Sequence, residues 1–195
     1  MDIAPIQQSF LKALIKLLKF DRFLLENNLI ERTISHKLAF YLSAEFKEWD
    51  VDFEYNRNHD GIKRLILCRE EIENTDTEAK TVFPDIIVHE RNSDNNLLII
   101  EIKKNSSEED RQKDLNKIQN FTEQLNYKYG LFINFLTGSN VGIRELVWFV
   151  NSRQISKEIN LEEQTRMLNC KPRVSDPLHK LYSLTPDEIK IFGEF

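Results

Sequence analysis

Two acidic residues and a lysine stand at a spacing that suits hydrolysis of a phosphate ester. Pro84-Asp85 lies at the start of the apolar run Phe83 to His89, and Glu101-Ile102-Lys103 ends a second run, Leu97 to Lys103. Both runs are strand-like, and the segment between them, Arg91-Asn92-Ser93-Asp94-Asn95-Asn96, consists of turn formers. Facing residues in an antiparallel hairpin have position numbers of constant sum, so a turn centred on Ser93 sets Asp85 opposite Glu101. Opposed carboxylates in apolar strands repel each other and are costly to bury unless something positive lies between them. Glu101 and Lys103, two apart in one strand, point to the same side. Hard oxygen ligands with open positions suit Mg²⁺ or Mn²⁺, which retain waters and bind substrate phosphate. Such an ion polarises a phosphate and lowers the pKa of a bound water, while Lys103 is placed to orient that water or stabilise developing charge.

The elements that must position these groups follow from hydrophobic periodicity. An amphipathic helix is expected over Ile6 to Leu18, and a second from Asn28 to Phe46, where Ile30, Ile34, Leu38, Tyr41 and Leu42 recur at spacings of three and four. Val51 to Tyr55 and Ile62 to Cys68 read as strands around the turn Asn58-His59-Asp60-Gly61, and Glu70 to Lys80 as a loop. The run Leu97 to Lys103 is apolar on both faces, with Leu97 and Ile99 on one side and Leu98, Ile100 and Ile102 on the other, so helices are expected to cover both faces of the sheet. A helix over Glu109 to Leu125 and strands over Tyr129 to Phe135 and Glu145 to Val150 follow. From Asn151 onward two more helices are expected, the last opened by the capping sequence Thr185-Pro186-Asp187-Glu188.

Pro84-Asp85 followed by Glu101-Ile102-Lys103 resembles the signature of the PD-(D/E)xK nucleases, the restriction-endonuclease-like superfamily, over roughly Leu29 to Phe135. The resemblance implies an α/β fold with a mixed central sheet flanked by helices in the order αβββαβ, with extra N- and C-terminal helices. Chain length and hydrophobic content suit one domain over 1–195, with the core over about 29–150, an N-terminal helix in 1–28 and a helical extension in 151–195. The activity the resemblance implies is Mg²⁺- or Mn²⁺-dependent endonucleolytic hydrolysis of DNA, with RNA left open as a substrate, in phage defence, mobile-element biology or repair. Asp85 and Glu101 are then metal ligands, the Ile102 carbonyl a further ligand, and Lys103 the group near the attacking water. The QxxxY motif of some RecB-like relatives is not reproduced, since Gln124 is followed by Tyr127.

Many members of that family add a glutamate from the helix before the sheet, and Glu31 is the best match. It falls within the stripe of Ile30, Ile34 and Leu38 and so faces the sheet as a further metal ligand; equally, Asn28-x-x-Glu31 has the spacing of a capping box. Glu45 lies near the same stripe but at the helix end, where it is easily solvated. For substrate contact the candidates are Asn56 and Arg57, which end an earlier strand, and Lys104 and Lys117, near the helix after the metal strand; Arg111 and Lys113 read as a solvated helix face.

Composition bounds the function. The chain has 195 residues, 41% of them hydrophobic, and a net charge of −5, which argues against coating nucleic acid by bulk attraction but is compatible with a carboxylate site for divalent cations. Cys68 and Cys170 form no CxxC pattern, which suggests a reducing cytoplasm; the N-terminal apolar stretch is interrupted by Lys12 and Lys16, and no membrane association is expected. His36, His59, His89 and His179 occur singly and read as surface residues, Trp49 and Trp148 as core, and there is no nucleotide-binding glycine loop. The alternative to an enzyme is a catalytically inactive nucleic-acid-binding or assembly module on the same fold. Cutting both strands of a duplex with one site per chain would favour a homodimer.

Overall fold

The computed structural model describes residues 2–54, 57–58, 61–62, 64–65, 80–81 and 83–156. Asn56, most of the expected loop at 70–80 and the two expected C-terminal helices, with the cap at Thr185, lie outside the described residues. Helix α1, Ala4–Phe20, carries Pro5 in its first turn, where a missing N–H is harmless, and buries Phe10, Ala13, Leu14, Leu17 and Leu18. A short helix α2, Arg22–Glu26, which the periodicity did not announce, leads to α3, Glu31–Glu45, whose buried face is Ile34, Leu38, Tyr41 and Leu42. Between α1 and α3 the fully buried Lys16 meets Glu45 at 2.6 Å. The glutamate expected in solvent is thus the partner of a buried ammonium.

Six strands form one mixed sheet: β1 Asp50–Phe53, β2 Ile86–His89, β3 Asn96–Lys104, β4 Tyr129–Leu136, β5 Gly142–Val150 and β6 Arg153–Ser156. They lie side by side in chain order; β3 and β4 run parallel and every other adjacent pair antiparallel. Between β1 and β2, Arg57–Asn58 pairs with Gly61–Ile62 and Arg64–Leu65 with Lys80–Thr81. The parallel β3–β4 pair requires a crossover, which is helix α4, Glu108–Gln124. Ser107 caps α4 by accepting the Asp110 N–H, and Glu108, Glu109 and Asp110 favour the helix N-terminus electrostatically.

Alternation along the strands divides the core in two. Ile86, Val88, Leu98, Ile100, Ile102, Leu131 and Ile133 pack with α1 and α3, while Ile87, Ile99 and Phe132 pack with Leu115, Ile118 and Phe121 of α4. Each such side chain, fully buried, contributes about 1.5–3 kcal/mol. Gly130 of β4 lets α4 approach: a Cβ there would lie 2.3 Å from Ile118 Cγ2 and 3.2 Å from Phe149 Cβ.

Three expectations are corrected. The second strand begins at Ile86 rather than Phe83, leaving Pro84-Asp85 as an irregular lead-in. The segment after Asn151 is no helix at its start, because Asn151 and Ser152 both take positive φ (48° and 61°) and turn the chain into the hairpin β5–β6. His89 is no surface residue: it is buried in β2, with Nε2 2.9 Å from Asp52 Oδ2 of β1. Arg91 also bonds Asp52, and although burial alone would raise the Asp52 carboxyl, the Arg91 and His89 partners hold it below its ordinary value.

Candidate functional site

The hairpin register pairs Ile86 with Ile100 and Ile87 with Ile99, which extrapolates to Asp85 beside Glu101 as the turn centred on Ser93 requires. Asp85 is no longer in the ladder, but both its ends are held. Its carbonyl accepts the Glu54 N–H at 3.1 Å, and its Oδ2 accepts the Ile102 N–H at 2.7 Å. Glu54 sits at φ 49°, a left-handed conformation costly for a non-glycine residue, and its carboxylate pairs with Arg32 of α3 at 2.6 Å. Four segments, the end of β1, the lead-in to β2, the end of β3 and the start of α3, are thereby tied together.

Glu101 is 2% exposed in the middle of that junction. Lys117 of α4 donates from Nζ to Glu101 Oε2 at 2.9 Å and to the Phe83 carbonyl at 2.8 Å; Oε1 also lies 2.9 Å from Nζ but accepts no hydrogen bond. Burial, reinforced by the Asp85 and Asp114 charges, outweighs Lys117 and pushes the Glu101 carboxyl up to about 8. Burial likewise raises Asp85, against the Ile102 N–H, Lys117 and Lys103.

Lys103 shares the α4-facing side of β3 with Glu101. Its ammonium is 3.6 Å from Glu31 Oε2 and 3.5 Å from Asp114 Oδ2 of α4. Burial acts against this charge, but Asp114, Glu31, Asp85 and Glu101 together raise its pKa. Glu31 turns to the sheet and not to a cap: Ile30, not Asn28, is the N-cap of α3, no side chain caps that helix, and Glu31 Oε1 accepts the Lys104 N–H at 3.1 Å. The capping box fails because Asn28 adopts φ 52° and turns its side chain to Lys104 Nζ and Thr137 Oγ1, at 3.0 and 2.9 Å.

Of the residues read as substrate contacts, Lys117 faces inward onto Glu101, Lys104 is anchored to Asn28, and Arg57 lies in a two-residue strand pair. Arg111 is not on a solvated face: it reaches across to β5, donating to both Glu145 oxygens at 2.7 and 2.6 Å, whereas Lys113 is exposed and pairs with Glu109. The residue that sequence reasoning missed is Asp114. It belongs to the stripe Arg111, Asp114, Leu115, Ile118, Phe121, whose spacings of three and four carry the buried face of α4 toward the site, so a helical wheel extended past Leu115 would have found it.

Among the described residues no group of three or more His, Cys, Asp or Glu side chains is arranged to hold a metal ion. No described helix is long and apolar enough to cross a membrane. Compared with protein-family models, curated proteins and solved structures, the chain finds no match.

Proposed function

We propose that the chain is a Mg²⁺- or Mn²⁺-dependent nuclease of the PD-(D/E)xK type that hydrolyses phosphodiester bonds in DNA. The observation that carries this reading is the buried Glu101 carboxylate, with Lys117 against both its oxygens, beside the half-buried Asp85. Burial raises both carboxyls toward the neutral form, which is the signature of two acids short of positive charge. A hard divalent cation supplies that charge. Mg²⁺ commonly binds through one or two protein carboxylates and fills its remaining positions with water and substrate oxygens, so a pair of acids suffices. The element order α3, β1, β2, β3, α4, β4 also follows the αβββαβ order of that superfamily.

Asp85 and Glu101 would hold the ion, with the Ile102 carbonyl as a further ligand, while Glu31 stands beside them on the Lys104 N–H and Lys103. When bound, the ion would polarise the phosphate and lower the pKa of a coordinated water. The protein's own groups do the rest. Lys103, half-buried among carboxylates that keep it charged, orients the attacking water and meets charge developing on the phosphate. Lys117 ties Glu101 to the Phe83 carbonyl and so fixes the lead-in that carries Asp85.

Cleavage of plasmid and single-stranded DNA with Mg²⁺ or Mn²⁺ tests the proposal, with Asp85→Ala and Lys103→Ala compared at matched folding. Metal-dependent cutting that falls at least a hundredfold in both variants is the expected result. Equal cutting by wild type and variants would sink the assignment. One observation favours a second reading, a nucleic-acid-binding module without turnover: the pairs Glu101–Lys117 and Lys103–Glu31 already give these charged groups partners within the chain. DNA binding with no cleavage on any substrate would select it.

A further inference from the structure

Asp114 is 8% exposed, and its Oδ2 accepts no hydrogen bond. The helix field does not account for it, because the favourable effect of an N-terminus on acids is confined to the first turn, already occupied by Glu108, Glu109 and Asp110. Stability does not account for it either. It lies on the buried stripe of α4 next to Leu115, and a buried ion pair is often no better than apolar packing of similar volume. What Asp114 does have is a direction: Oδ2 lies 3.5 Å from Lys103 Nζ, on the opposite side of the sheet from α3, whose Glu31 lies 3.6 Å from the same ammonium.

The two acids differ in one respect. Glu31, its side chain 32% exposed, divides its carboxylate between the Lys104 N–H and the Lys103 ammonium. Asp114 is the more deeply buried, and its Oδ2 has no hydrogen bond to divert it from the Lys103 ammonium. We infer that Asp114 is the positioning residue for Lys103, clamping its ammonium against α4 so that it stays aimed at the reacting phosphate. The inference rests on the nuclease reading for its purpose, though not for the contact itself.

The experiment has two arms. In the first, the motion of the Lys103 ammonium is followed by ¹⁵N relaxation of the side-chain Nζ, with and without Mg²⁺, in wild type and in Asp114→Asn, a change of nearly the same shape. Wild-type Lys103 should be ordered relative to the exposed Lys47 in both conditions, and in Asp114→Asn it should be more mobile than in wild type in both. In the second arm, kcat for DNA cleavage by Asp114→Asn should fall about ten- to a hundredfold with KM changed less than about twofold. The same substitution in a Lys103→Ala background should cause no further loss, since it acts through that side chain. A Lys103 ammonium equally ordered in the variant, or a kcat loss that adds in full to that of Lys103→Ala, would overturn the inference. Should the wild type cut nothing, the nuclease reading fails while the relaxation arm still decides the contact; should Asp114→Asn not fold, wild-type Lys103 as mobile as Lys47 is the overturning result.

Discussion

At the scale of single residues the site is a set of acids buried deeper than their positive neighbours can compensate. This has a thermodynamic consequence. Folded Glu101 keeps its proton up to about pH 8 in the metal-free protein, whereas an unfolded chain releases it near 4.5. Between those values the folded state binds more protons, so the contribution is fully present below 4.5 and is lost as pH rises toward 8. Asp85, also raised, acts in the same sense. Thermal unfolding in a chelating buffer should therefore show a melting temperature that drops between pH 5 and pH 8, and Glu101→Gln should flatten the drop; parallel curves for the two proteins would refute this. Much of this constellation was legible in the sequence, since the alternation of Leu98 to Lys103 and the turn residues around Ser93 fix the register that sets Asp85 near Glu101. Asp114 and the Arg111–Glu145 pair were harder to see. They depend on which way α4 rolls over the sheet, a property of packing between elements far apart in sequence.

At the scale of elements, the site depends on how closely α4 lies on β3 and β4. Gly130 sets that distance: a methyl group there meets Ile118 Cγ2 at 2.3 Å, in a helix held at one end by Arg111–Glu145. Gly130→Ala should destabilise the fold by about 1–3 kcal/mol in chemical denaturation, through overpacking. Gly138 is the control. It sits at φ 82° with open space around it, so alanine there should cost only backbone strain, about 1 kcal/mol. The hairpin β5–β6 offers the opposite test. Asn151-Ser152 is a two-residue loop with both φ positive, the geometry that favours Asn-Gly, and Ser152→Gly should stabilise by about 1 kcal/mol, with an unchanged melting curve counting against that turn. Long periodic helices and the central hairpin were readable for the same reason that this turn was not. A helix repeats its signal over several turns, while Asn-Ser at a two-residue bend lacks the glycine that usually marks one.

At the scale of the whole molecule, the proposed nuclease reading, with one site per chain, favours a two-fold pair for cutting both strands of a duplex. Light scattering of the protein with and without a short duplex in Mg²⁺ should show a shift from monomer to dimer mass; a monomer on cleaved duplex would leave nicking of one strand as the chemistry. The order of the sheet has its own consequence. Its six strands are neighbours in the same succession as along the chain, and the one parallel pair is bridged by a single helix. As the polypeptide leaves the ribosome, each new strand finds its partner already exposed at the growing edge, and no earlier strand has to wait for a later one to be inserted beside it. Synthesis can therefore proceed in step with folding: β1, β2 and β3, which carry or anchor Asp85, Glu101 and Lys103, are available to pair before α4 arrives to close over them with Asp114 and Lys117.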